Sequence, residues 1–98
     1  MKLPAQQKAD QTVYPTETSD LWTYHLPNCE SGVDWSKNSG NGHYGGIQFT
    51  QQSWEAMGGK GNPADAPAEE QIMRGQMLVR VQGWAAAFPG CSLKLGLR

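Results

Sequence analysis

The sequence predicts a small α+β domain, mainly helical, with a short irregular β-hairpin region. Three observations point there. A run from Pro67 to about Gln82 carries apolar residues at helical spacing. A stretch from Ser36 to Gly46 is dense in glycine and asparagine and shows no helical period. The chain has 98 residues, 38% of them hydrophobic, and 12 glycines, which is enough for one modest core and too loop-rich for a bundle or a sandwich.

In chain order, residues 1–19 are polar, carry Pro4 and Pro15 and show no period, so they read as a flexible leader ahead of a domain spanning 20–98. Asp20 is placed to cap a first helix whose apolar groups are Leu21, Trp22, Tyr24 and Leu26. Pro27 lacks an N–H and crowds the preceding turn, which predicts a helix that is short, kinked or restarted near Asn28. Within 36–46, Asn41-Gly42 is a turn signal and Gly45-Gly46 admits backbone shapes closed to other residues, predicting an irregular loop or small hairpin. A second helix begins at Thr50 or Gln51, passes through Trp54 and Met57, and ends at Gly58-Gly59. After a loop from Lys60, Pro67 suits the first turn of a third helix, and Glu69 and Glu70 complement its positive end. Met73, Met77, Val81 and Trp84 lie along one side of it, Ile72 and Val79 along another, so apolar residues around most of the circumference predict a buried helix. Gly75 inside it costs up to about 1 kcal/mol of helix propensity, which predicts a close backbone contact there. Gly83 and Pro89 mark the exit, Phe88 and Cys91 return to the core, and Lys94 to Arg98 read as a tail.

Charge and cysteine usage narrow the function classes. The net charge is −1 and the eight Lys and Arg are scattered, unlike the basic patch of a nucleic-acid binder. No apolar run approaches membrane-crossing length. Met1-Lys2 followed by Pro4 lacks a signal-peptide pattern, which leaves a mature domain with an added start methionine, or another export route. Cys29 and Cys91 lack the CxxC spacing of metal or redox sites. Two readings stand open: a disulfide, implying an oxidising compartment, or two unrelated buried thiols. A bridge would close a loop of about 60 residues and contribute roughly 4 kcal/mol by chain entropy. His25 and His43 have no cysteine or acid pattern around them, so neither a metal site nor a cofactor is expected.

Glu30 is one of nine acidic residues, and a bland reading makes it a solvated helix position. Its surroundings argue for more. It lies beside a cysteine, in a segment bearing Trp22, Tyr24 and Trp35. Aromatic walls raise a carboxyl pKa by desolvation, as a general acid working near neutral pH requires. Sugar rings also dock on aromatic faces. Trp54 and Trp84 read first as core filling, and His43 as a solvated loop residue.

Cys29-Glu30-Ser31-Gly32, Trp35, Asn38-Ser39-Gly40-Asn41-Gly42, Tyr44-Gly45-Gly46-Ile47-Gln48-Phe49 and Ser53-Trp54, in that order, closely resemble the catalytic domain of the resuscitation-promoting factors. Glu70-Gln71-Ile72, Gln82-Gly83-Trp84, Pro89, Cys91 and Lys94-Leu95-Gly96-Leu97 continue the resemblance, which covers roughly residues 20–97. A looser likeness extends to lytic transglycosylases, whose Glu-Ser and Gly-Leu-Met-Gln motifs look like Glu30-Ser31 and Gly46-Ile47-Gln48. Members of the family are secreted by actinobacteria, cut the glycan strands of peptidoglycan and promote regrowth of dormant cells. The resemblance implies a lysozyme-like fold, a Cys29–Cys91 disulfide and Glu30 as the essential glutamate. It also implies a saccharide groove drawn from Tyr44, Gln48, Thr50, Ser53, Gln82 and Trp84. A secreted monomer acting on cell-wall glycan, with no membrane insertion and no nucleic-acid partner, is the expectation.

The chain departs from the family's pattern at informative places. A two-carboxylate lysozyme mechanism needs a second acid across the scissile bond, and some members carry Asp where this chain has Thr50. Asp34 and Glu55 are the nearest acids in sequence and are minor candidates for that role. A single-acid mechanism is therefore expected, with the substrate's own N-acetyl group stabilising the cation and either water or the sugar's 6-hydroxyl as acceptor. Pro27, Val33-Asp34, Gly75, Ala85 and Phe88 also differ and remove no catalytic group. Two other readings stand beside the enzyme: a non-catalytic wall-binding or signalling module, and a phage-borne wall-lytic domain.

Overall fold

The computed structural model describes residues 20–97. The leader expected over 1–19 lies outside them, as does Arg98. A π-helical turn, Leu21–His25, runs into α1, Leu26–Ser31. Asp20 does not cap this helix: its backbone is already helical and its side chain makes no capping bond. Pro27 sits in the first turn of α1, where a missing N–H has little consequence. The wider turn ahead of it, closed by Leu26 N–H to Leu21 O, carries the chain past the ring. The restart thus falls at Leu26, slightly ahead of the expected Asn28. Gly32, at φ 77°, ends α1 in a left-handed cap.

The glycine-rich stretch folds into a small antiparallel hairpin. Strand β1, His43–Tyr44, pairs with β2, Phe49–Thr50, in the register His43 to Thr50 and Tyr44 to Phe49. Asn38 also bridges to Tyr44 across the Asn41-Gly42 turn. The hairpin therefore reaches beyond the expected 36–46, because its second strand is Phe49–Thr50. Helix α2, Gln51–Ala56, begins at once: Thr50 Oγ1 accepts from Ser53 N–H at 3.1 Å. A 3₁₀ turn, Pro63–Asp65, interrupts the following loop.

Helix α3, Ala68–Gln82, is the long element the periodicity predicts, but its buried face differs. Gln71, Gly75, Gln76 and Leu78 are inside, while Val81 on the expected apolar side is 69% exposed. The buried stripe carries a glycine and an amide because each has a specific partner. A Cβ on Gly75 would lie 2.5 Å from Ile47 Cδ1 and 3.0 Å from Trp22 Cζ3. The Gln71 amide is fully buried and saturated: Oε1 accepts from Gly46 N–H at 2.9 Å, and Nε2 donates to Trp35 O at 3.0 Å and Ala66 O at 2.8 Å.

Two further helices replace the expected loop and tail. Gly83, at φ 84°, ends α3 and turns the chain into α4, Trp84–Ala87. Pro89 then opens α5, Pro89–Leu95, acting as a helix start where the sequence suggested a stop. The core gathers Trp22, Leu26, Ile47, Trp54, Leu78 and Phe88 from nearly every element. Trp22 stacks at 5.3 Å on Trp84 and edge-on at 6.1 Å to Phe88. The disulfide between Cys29 and Cys91 ties α1 to α5, with Cα atoms 6.0 Å apart and the two residues separated by 62 in sequence.

Candidate active site

The acid candidate is positioned by bonds to three elements. Glu30 lies next to the bridged Cys29 near the end of α1. Ser31, on its other side, donates from Oγ to Gly46 O at 2.8 Å and accepts from Asp34 N–H at 2.9 Å. Gly46 belongs to the turn between β1 and β2, and its N–H is the one held by Gln71 of α3. The Trp35 ring lies so close to Gly46 that a Cβ there would run into it. One glycine thus joins the Glu30 helix, the hairpin and the long helix.

Glu30 opens into a cleft of about 170 Å³, room on the order of one sugar ring. His43, Gln48, Phe49 and Thr50 line it from the hairpin, and Ser53 from α2. Leu78 and Gln82 of α3, Ala86 and Ala87 of α4, and Phe88 complete it. Burial pushes the Glu30 carboxyl up from 4.5 to about 7, by penalising its charged form. A carboxyl in that range keeps its proton near neutral pH and can give it up in a reaction.

Among the expected groove residues, Gln48, Thr50, Ser53 and Gln82 meet Glu30 in this cleft. Tyr44 and Trp84 are not part of its lining. From β1, His43 lines the cleft and Tyr44 does not. Trp84 is partly buried and packs against Trp22 and Phe88. The aromatic wall expected from Trp22, Tyr24 and Trp35 is also built otherwise. Trp22 is in the core, Tyr24 is 51% exposed against His25, and Trp35 packs on Gly46. Phe49, Leu78 and Phe88 supply the apolar lining instead. His43, Ala86 and Ala87 also line the cleft and carry no sequence signal for such a role.

Asp34 and Glu55 stand apart. Asp34 is exposed and accepts from Ser36 N–H and Ser36 Oγ, both at 3.1 Å. Glu55 is exposed and accepts from Gln51 Nε2 at 3.0 Å. Among the described residues, Glu30 is the sole carboxylate lining the cleft. Among the same residues, no three His, Cys, Asp or Glu side chains gather as a metal site would require, and no helix is long and apolar enough to cross a membrane.

A small α+β core, a disulfide beside a half-buried glutamate and a sugar-sized cleft define a lysozyme-like domain. The chain belongs to the transglycosylase-like domain family, which matches residues 6–91. It is 52% identical over 80 residues to the resuscitation-promoting factor Rpf of Micrococcus luteus, covering 82% of this chain and 35% of that protein. The resuscitation-promoting factor RpfE of Mycobacterium tuberculosis is 48% identical over 66 residues, 67% of this chain and 38% of the relative. RpfB of Mycolicibacterium smegmatis is 42% identical over 94 residues, 93% of this chain and 25% of the relative. The chain spans between 22% and 51% of the length of the curated relatives it matches. The likeness expected from Cys29-Glu30-Ser31-Gly32 and the motifs after it is therefore to resuscitation-promoting factors, through a transglycosylase-like domain.

Proposed function

We propose that this domain cleaves peptidoglycan glycan strands at the β-1,4 bond between N-acetylmuramic acid and N-acetylglucosamine, with Glu30 as its acid–base group. One observation carries the reading: a carboxyl raised to about 7 lines a sugar-sized cleft that holds no second carboxylate among the described residues. Neutral Glu30 gives its proton to the glycosidic oxygen as the bond from that oxygen to the anomeric carbon breaks. The acetamido oxygen of the muramic acid closes on the anomeric carbon and takes the positive charge. Ionised Glu30 then removes a proton from water, or from the same sugar's 6-hydroxyl, as that oxygen bonds to the anomeric carbon and the bond from the acetamido oxygen to the same carbon breaks. The first route gives a reducing end, the second a 1,6-anhydro sugar, and both return Glu30 to its protonated state. Gln48, Thr50, Ser53 and Gln82 hold the sugars; Tyr44 and Trp84 would contribute only from outside the cleft. The relatives are named resuscitation-promoting factors, and the reading extends to this chain a role in the regrowth of dormant bacteria, as a secreted monomer acting in the cell wall.

The test is digestion of purified peptidoglycan followed by mass spectrometry. The parent protein is expected to release muropeptides, and Glu30→Gln to lose about 10²–10⁴-fold in rate while keeping its circular dichroism. Undiminished release by the variant would sink the role of Glu30. A second reading draws on Thr50, whose hydroxyl caps α2 where some family members carry an acid. A wall-binding module without turnover would bind glycan saturably and generate neither reducing ends nor anhydro sugars.

A further inference from the structure

We propose that His43 is a substrate-contacting residue, its Nε2 accepting a hydrogen bond from a donor on an N-acetylated sugar; the proposal rests on the glycan-cleft reading above. His43 is partly buried in β1 and lines the same cleft as Glu30. Its ring is oriented from behind. Nδ1 lies 3.3 Å from Asn41 Oδ1, and that oxygen also accepts from Ser39 Oγ. An amide oxygen only accepts, so Nδ1 donates to it and Nε2 is the ring nitrogen left for a ligand. No described residue bonds to Nε2. Its neighbours on the hairpin wall are already engaged: Thr50 Oγ1 accepts from Ser53 N–H, and Gln48 Nε2 donates to Gly45 O at 2.9 Å. The uncommitted ring acceptor on this wall is therefore His43, and the ligand in the cleft is what meets it.

The experiment uses the full chain with Glu30→Gln, which holds saccharide without turning it over. A β-1,4-linked N-acetylglucosamine tetramer is titrated by calorimetry into this parent and into His43→Gln, His43→Asn and His43→Ala made on it. A glutamine amide reaches about where Nε2 sits, and an asparagine amide about where Nδ1 sits. His43→Asn and His43→Ala are expected to weaken binding roughly 5–10-fold, and His43→Gln by no more than about twofold. If His43 only braces the Ser39–Asn41 loop, the order reverses, with Asn rescuing and Gln failing, and the proposal falls. Equal affinity across the series also overturns it. Melting curves of each variant separate lost contact from lost fold. Muropeptide release by the wild-type chain checks the underlying reading independently: release together with a flat His43 series removes the His43 contact alone. No binding by the parent and no release by the wild type remove both.

Discussion

At Glu30, burial links catalysis to stability. The native carboxyl holds its proton up to about pH 7, whereas an unfolded one loses it near 4.5. Between those values the native state binds a proton that the unfolded state has released. The stabilising contribution is complete below 4.5 and is lost as pH rises through 7. Glu30→Gln cannot ionise, so its melting temperature should match the parent below pH 4.5, exceed it increasingly on the way to 7, and hold a constant lead above that. A lead that does not change with pH would mean the carboxyl is not desolvated. The same ionisation removes the acid, so muropeptide release should decline as pH passes about 7. The identity of this residue was legible from Cys29-Glu30-Ser31-Gly32; its surroundings were not. Trp22, Tyr24 and Trp35 are its neighbours in sequence, but Phe49, Leu78 and Phe88 reach the cleft from elements far along the chain. Local sequence carries no record of that convergence.

Helix α3 shows a related limit. Its extent, Ala68–Gln82, followed from Pro67, the acidic first turn and Gly83. Its inward face did not, because periodicity counts apolar side chains, and the inward positions here include Gly75 and the saturated amide of Gln71. Likewise α4 and α5 were hidden because Gly83 and Pro89 serve as a bend and a start, two roles that look the same in a sequence as a stop. Gly75→Ala weighs the competing effects. The substitution gains about 1 kcal/mol of helix propensity. The new methyl meets Ile47 at 2.5 Å and Trp22 at 3.0 Å in a packed interior. Overpacking of this kind costs about 1–3 kcal/mol, so the variant should melt several degrees lower than the parent. A higher melting temperature would show that α3 stands off from the hairpin and the first helix.

At the scale of the molecule, the bridge between α1 and α5 is a long-range covalent constraint. Removing it with Cys29→Ser and Cys91→Ser together should cost roughly 4 kcal/mol by chain entropy, a large share of the 5–15 kcal/mol typical of small domains. Urea unfolding reads the loss directly as a lower midpoint. An unchanged midpoint would mean that packing alone holds the two ends of the chain together.

The bonds at Gly46 have a wider consequence. This residue offers its N–H to Gln71 and its carbonyl to Ser31, and has no room for a side chain beside Trp35. Harm done at Ser31, Gly46 or Gln71 is consequently shared rather than summed: once one grip is gone, the other secures a turn that has already drifted. A lineage that alters one of the three loses the reason to keep its companions. The trio is passed on, or abandoned, together.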